Sequence, residues 1–219
     1  MGTIHDFARR TGRSEDAIKL VGVTKTVSPE HMLEAVEAGV LILGENRLQE
    51  AVQKQEAVRW PEHIQWHFIG HLQRNKVRSA INRFQMIQSV DSLQLARTLD
   101  TQCRNADIRM PILMEVNLGE EQSKVGFHPK EVESRAREIE TWGNLKLEGL
   151  MAIPPYCENP EDSRPYFRRL KGLLDRLRQN GLQLSELSMG MSHDFHVAVE
   201  EGATIVRVGT ALFGERPVA

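Results

Sequence analysis

The sequence predicts an α/β chain closed into a single (β/α)8 TIM barrel. Three observations carry that expectation. Eight short apolar runs alternate with amphipathic stretches from residue 20 to the end. The units fill nearly all of the 219 residues, with no linker or low-complexity segment between them, so 1–219 reads as one domain. The same alternation fits an open doubly wound sheet, but no Gly-rich dinucleotide fingerprint follows the first strand, and the barrel is favoured.

The strand candidates, in order, are Leu20–Val23, Leu41–Leu43, Trp66–Ile69, Met86–Val90, Pro111–Val116, Leu147–Met151, Leu184–Leu187 and Thr204–Val208. Helices are expected near 29–38, 47–59, 74–83, 92–105, 129–142, 162–180 and 194–201. Ser28-Pro29 supplies a capping side chain and a proline at the first helical position, and Asp91-Ser92 supplies a second cap. In 162–180, Phe167, Leu170, Leu173, Leu174 and Leu177 fall at helical spacing. Ile153-Pro154-Pro155 follows the sixth strand and reads as a loop at the barrel mouth.

Bulk composition narrows the function classes. Aromatic residues make up 5% and the net charge is −2, which argues against a stacking or electrostatic surface for nucleic acid. No apolar run is long enough to span a membrane, and Met1 to Arg10 lacks a secretory signal's apolar stretch. Cys103 and Cys157 stand far apart in no metal-like spacing and read as reduced cytoplasmic thiols. His193-Asp194-Phe195-His196 matches no zinc signature, and no Walker A, HExxH or G-x-S-x-G element occurs.

Chemistry in a barrel gathers at the C-terminal ends of its strands. The first strand ends Val21-Gly22-Val23-Thr24-Lys25, and alternation puts Lys25 on the face of Val21 and Val23. A lysine desolvated in the mouth would have a depressed pKa and some nucleophilic character, whereas the commoner fate of a single lysine is to snorkel to solvent. Ser188-Met189-Gly190-Met191-Ser192 and Arg207-Val208-Gly209-Thr210 stand after the seventh strand and at the end of the eighth, where barrels commonly cradle phosphate. Ser192 and Thr210 add hydroxyl donors. Arg207 shares a face with Ile205 and Gly209; a guanidinium buried there requires a partner, either a structural carboxylate or the nitrogen of a pyridine ring. Asn46, after the second strand, offers a donor and an acceptor to a ring hydroxyl. His71 is an acid–base candidate at the third strand's end.

These residues together resemble the YggS/PROSC family of pyridoxal-phosphate homeostasis proteins. The resemblance runs through Val23-Thr24-Lys25, Gly44-Glu45-Asn46-Arg47, the segment from His67 to Lys76, Lys124-Val125-Gly126-Phe127, Gly149-Leu150-Met151, Ser188 to Ser192, and Arg207 to Gly214. It covers about residues 8 to 216. It implies the fold type III barrel of alanine racemase's N-terminal domain, without a C-terminal β domain. Carried over by position, Lys25 matches the Schiff-base lysine, Ser192, Gly209 and Thr210 match phosphate contacts, and Met191 lends a backbone N–H. Arg207 matches the residue facing the pyridine nitrogen, and Asn46 a group near the ring. The implied cofactor is pyridoxal 5'-phosphate and the implied role is homeostasis of that cofactor, without established catalytic activity. Small amines and amino acids are the implied ligands and apo pyridoxal-phosphate enzymes candidate recipients; a monomer is expected, with no nucleic-acid or membrane partner. The alternative is an amino-acid racemase of low activity. In alanine racemase the second base is a tyrosine of the C-terminal domain; here only Tyr156 and Tyr166 exist, and only Tyr156 lies near a mouth. The chain departs from the family in its short opening segment, which reduces the first helix to roughly Ile4–Arg10.

Overall fold

The computed structural model describes residues 2–119 and 125–214. Eight parallel strands close into a barrel in the order β1 to β8, each hydrogen-bonded to the next and β8 back to β1. The strands are β1 (Lys19–Val23), β2 (Ile42–Glu45), β3 (Gln65–Phe68), β4 (Met86–Val90), β5 (Met110–Glu115), β6 (Leu145–Met151), β7 (Glu186–Met191) and β8 (Ile205–Val208). The helices are α1 (Gly2–Arg10), α2 (Pro29–Glu37), α3 (Leu48–Ala57), α4 (Val77–Ala80), α5 (Leu93–Ala106), α6 (Val132–Glu140), α7 (Arg164–Gln179), α8 (Phe195–Glu200) and α9 (Thr210–Phe213).

Local chemistry explains most boundaries. Ser28 caps α2, with Pro29 at its first position, and Ser92 caps α5 by accepting from the Leu95 N–H at 3.3 Å. Asp107, with φ at 54°, ends α5 in the left-handed conformation that Asp tolerates better than most residues. Along α7 the five spaced apolar side chains are all buried against the sheet. The stretch 74–83 departs from expectation: a 3-10 turn over Arg74–Lys76 precedes the four-residue α4. Arg74-Asn75-Lys76 offers no apolar side chain to pack, so a continuous helix has no buried face there.

The core has two shells. Outside the sheet, apolar residues of strands and helices form one large cluster. Inside the barrel, Val21, Ile42, Met86, Leu113, Met151 and Ile205 form a separate one. Above it lies a polar chain. Arg207 Nη1 donates to Ser188 Oγ at 2.5 Å, Ser188 Oγ donates to Gln88 Oε1 at 2.7 Å, and Gln88 Nε2 lies 2.8 Å from His67 Nδ1. Burial pulls His67 down to about 3, so its ring stays neutral and can accept from the amide. At the opposite, N-terminal end, Lys19 pairs with Glu186 at 2.6 Å. The short α1 packs on α8, with the Phe7 ring 6.2 Å from Phe195 and 5.6 Å from His196.

The seventh strand is displaced from its expected position. It spans Glu186–Met191 rather than 184–187, so Ser188 to Met191 belong to the strand and the turn begins at Ser192. Gly190 adopts φ of +89°, and a Cβ there would lie 2.5 Å from Ala198 Cβ. Only glycine can end this strand so close to α8.

Candidate functional site

The inner face of each strand fixes what looks into the mouth. Val21 lies in the barrel interior, so Lys25 stands on the same side two pleats further on. Its side chain is exposed at the rim rather than desolvated, which corrects the expectation of a buried lysine. It lies in a turn closed by the Val27 N–H donating to the Thr24 carbonyl at 2.9 Å.

On the next strand Gly44 points inward, Glu45 outward, and Asn46 back toward the mouth. Asn46 Oδ1 is buried and has no hydrogen-bond partner among the described residues. A buried acceptor left unpaired costs about 1–3 kcal/mol, so this atom asks for a donor from a ligand. Gly70 admits the Asn46 main chain: a Cβ at residue 70 would lie 2.3 Å from the Asn46 carbonyl oxygen.

The β7 and β8 ends meet through Ser192. Its Oγ accepts from the Gly209 N–H at 2.9 Å and the Ala211 N–H at 3.3 Å. Ser192 is half-buried and Thr210 exposed beside it, so both hydroxyls border the mouth. The Met191 N–H, expected as a free donor, is given to Asp194 Oδ1 at 2.7 Å. An anion would compete with that carboxylate for it. The helices that follow, α8 and α9, are short, so a phosphate held here would rest on individual N–H and O–H groups rather than on a long helix dipole.

Arg207 is 3% exposed. Besides Ser188 it donates to the Ala152 carbonyl at 2.9 Å, and both partners are neutral oxygens. Burial lowers its guanidinium to about 10, which still leaves it protonated at neutral pH, with the charges of Glu115 and Asp194 opposing that shift.

Two acids escaped the sequence reading. Glu115, two positions beyond the inward Leu113, is pushed up to about 7 by burial and by the charge of Asp91, with Arg207 and His71 opposing. Asp91 Oδ2 lies 2.8 Å from His71 Nδ1, so His71 is a partnered side chain. Asp91 follows the run Met86–Val90 and Glu115 lies inside the run Pro111–Val116, each at the C-terminal end of its strand, where a polar residue is the available signal.

Among the described residues no group of His, Cys, Asp or Glu is arranged to hold a metal ion, and no helix is long and apolar enough to cross a membrane. His193 contacts the Glu158 carbonyl at 2.9 Å and lies beside the exposed Tyr156, with ring centroids 5.7 Å apart. Cys103 and Cys157 are both free, and burial beside Asp100 raises the Cys103 thiol to about 11. Lys124, part of the resembling segment, lies outside the described residues.

Comparison with known proteins places this geometry. The family model for the alanine racemase N-terminal domain matches residues 5–217. The pyridoxal phosphate homeostasis protein of Aquifex aeolicus is 47% identical over 214 residues, covering 97% of this chain and 93% of the relative. That of Escherichia coli is 36% identical over 219 residues, covering 95% and 90%. Among solved structures, PipY of Synechococcus elongatus with PLP bound matches with a TM-score of 0.86 at 34% identity, covering 96% of this chain and all of the other. A Clostridium difficile alanine racemase, 17% identical with a TM-score of 0.71, shares the fold and is spanned over 58% of its length.

Proposed function

Because the chain belongs to the pyridoxal phosphate homeostasis protein family, we propose that it binds pyridoxal 5'-phosphate in the barrel mouth and links it as a Schiff base to Lys25. The observation that carries this reading is the buried Asn46 Oδ1 without a partner, beside the mouth. A ring hydroxyl would supply the missing donor. Ser192, Gly209 and Thr210 would hold the phosphate, with the Met191 N–H shared between it and Asp194. Arg207 would face the ring nitrogen. When bound, the cofactor supplies an aldehyde that amines can capture reversibly.

The remaining chemistry belongs to the chain. Arg207 keeps its proton at neutral pH and so offers the ring nitrogen a donor, not an acceptor for a ring proton. With Arg207 as its partner, the bound ring would be a weaker electron sink than one paired with a carboxylate. The exposure of Lys25 leaves its nitrogen reachable by incoming amines. Both features suit loading and release of the cofactor rather than turnover, and one barrel domain suffices for them. Small amines and amino acids are the expected exchange partners and apo-enzymes that use the cofactor the expected recipients. Two free thiols suit a reducing compartment such as the cytoplasm, and a monomer is the expected state.

Absorption of the purified, cofactor-loaded protein tests this directly. A band at the visible–ultraviolet border, lost on borohydride reduction, is expected. Proton exchange at the α-carbon of alanine, followed by NMR in deuterated water, separates carrier from racemase. Exchange on the order of 1 per second or faster would favour the racemase.

A further inference from the structure

Behind the turn that carries Lys25 lies a buried charged cluster to which the proposed function gives no part. Lys54, from α3, is 7% exposed, a rare state for lysine. Its Nζ donates to the Thr24 carbonyl at 2.5 Å, to Glu45 Oε1 at 2.7 Å and to Glu50 Oε1 at 2.6 Å. Three donors meet three acceptors, so the ammonium is saturated. Glu45, fully buried, also accepts from Thr24 Oγ1 at 2.6 Å. Glu50 Oε1 accepts from the Thr26 N–H at 2.5 Å.

The contacts fall on the two residues that flank Lys25. Its preceding residue is held through carbonyl and hydroxyl, its following residue through the N–H. Thr26 adopts φ of 60°, a left-handed conformation that a β-branched residue strongly disfavours. Such a conformation persists only where its surroundings enforce it. The cluster supplies that enforcement from the outer side of β1 and β2, because Glu45 and Thr24 point away from the mouth while Lys25 and Asn46 point toward it. A buried ion cluster is a poor source of stability, since its desolvation offsets its attraction. Its geometry makes better sense as a fixture.

We propose that Lys54 and Glu50, clamped by Glu45, are positioning residues that hold the Thr24–Thr26 main chain so that Lys25 Nζ is presented to the cofactor's aldehyde. This rests on the proposed linkage at Lys25. The same βα unit then supplies Asn46 for the ring and the brace for the lysine, which fixes the two relative to each other.

The test separates linkage from binding in the full-length apo-protein. Pyridoxal phosphate is added and the rate of band formation is followed by stopped flow. Pyridoxine 5'-phosphate, which has no aldehyde, is titrated calorimetrically as a probe of binding alone. Lys54→Met and Glu50→Ala are expected to slow linkage about tenfold to a hundredfold, the scale of a small misplacement of a reacting group, while pyridoxine 5'-phosphate binds as in wild type. Glu50→Gln, which keeps an acceptor for the Thr26 N–H, should recover most of the rate. Should Lys54→Met fail to fold, the two Glu50 variants carry the comparison alone. Wild-type linkage rates in the Glu50→Ala variant would overturn the inference, as would equal losses for both ligands, which mark a purely structural cluster. Failure of the parent reading looks different: the wild-type protein itself forms no band, or forms it on another lysine, and the inference falls with it.

Discussion

The two sides of the barrel mouth solve opposite problems. On the β7–β8 side, polar groups are tied to one another before any ligand arrives: Ser192 bridges to Gly209 and Ala211, Met191 to Asp194, and Arg207 to Ser188 and Ala152. On the β1–β2 side Lys25 stands in solvent, and the hydrogen bonds of its turn are made by Thr24 and Thr26 beside it. Under the proposed linkage, the groups at β7–β8 would retain the cofactor by its phosphate, and an exposed amine on a braced turn would let the covalent end form and break. On the proposed function, retention and linkage are separable, and mutation should be able to remove either alone.

The largest effect expected is on linkage. Lys25→Ala should abolish the borohydride-sensitive band while leaving pyridoxal phosphate bound through its phosphate, as read by calorimetry. Loss of both together would merge the two sides into one. Next comes retention. Each charge-assisted hydrogen bond from Ser192 or Thr210 is worth about 1.5–3 kcal/mol, so the Ser192→Ala, Thr210→Ala double variant should bind at least an order of magnitude more weakly. A double variant that holds the cofactor as wild type does would show that the hydroxyls are not the anchor.

Much of this was legible before the structure, because each feature left a local mark. Alternating apolar runs mark eight strands, seven of them close to their observed bounds. Val21, Val23 and Lys25 declared one face. What escaped was non-local. Lys54 reaches Thr24 across 30 positions, and Ser188 meets Gln88 across 100, so neither spacing carries a pattern. Lys54 looked like one more charge on an amphipathic helix. Strand β7 was misplaced because Leu184 and Leu187 drew it toward the N-terminus, while Ser188 and Gly190 looked like loop residues. They are buried, Ser188 through Gln88 and Gly190 against α8.

Two smaller effects probe the cradle's scaffold. Gly190→Ala combines a left-handed φ with a contact to Ala198 that must shift. It should destabilise by about 1–3 kcal/mol, read from a denaturant midpoint, and loosen the phosphate side alone. No change would mean that β7 ends with more freedom than the structure shows. Glu115, whose carboxyl rises from 4.5 to about 7 in the folded chain, sets a pH dependence. Its protonated form is the favoured one when folded, so its contribution is full below pH 4.5 and is lost as pH rises through about 7. Glu115→Gln should therefore gain stability relative to wild type at pH 8, by roughly 1–3 kcal/mol, and match it near pH 4. Parallel stability curves from pH 4 to pH 8 would remove Glu115 from the electrostatics of the mouth.

The proposed attachment of the cofactor to Lys25 is open to chemical mapping. Borohydride reduction of the loaded protein, followed by proteolysis and mass spectrometry of the tagged peptide, reads the attachment point directly. One stoichiometric tag on Lys25 is expected; a tag on Lys54, Lys76 or Lys124 with Lys25 unmodified would overturn the proposed linkage.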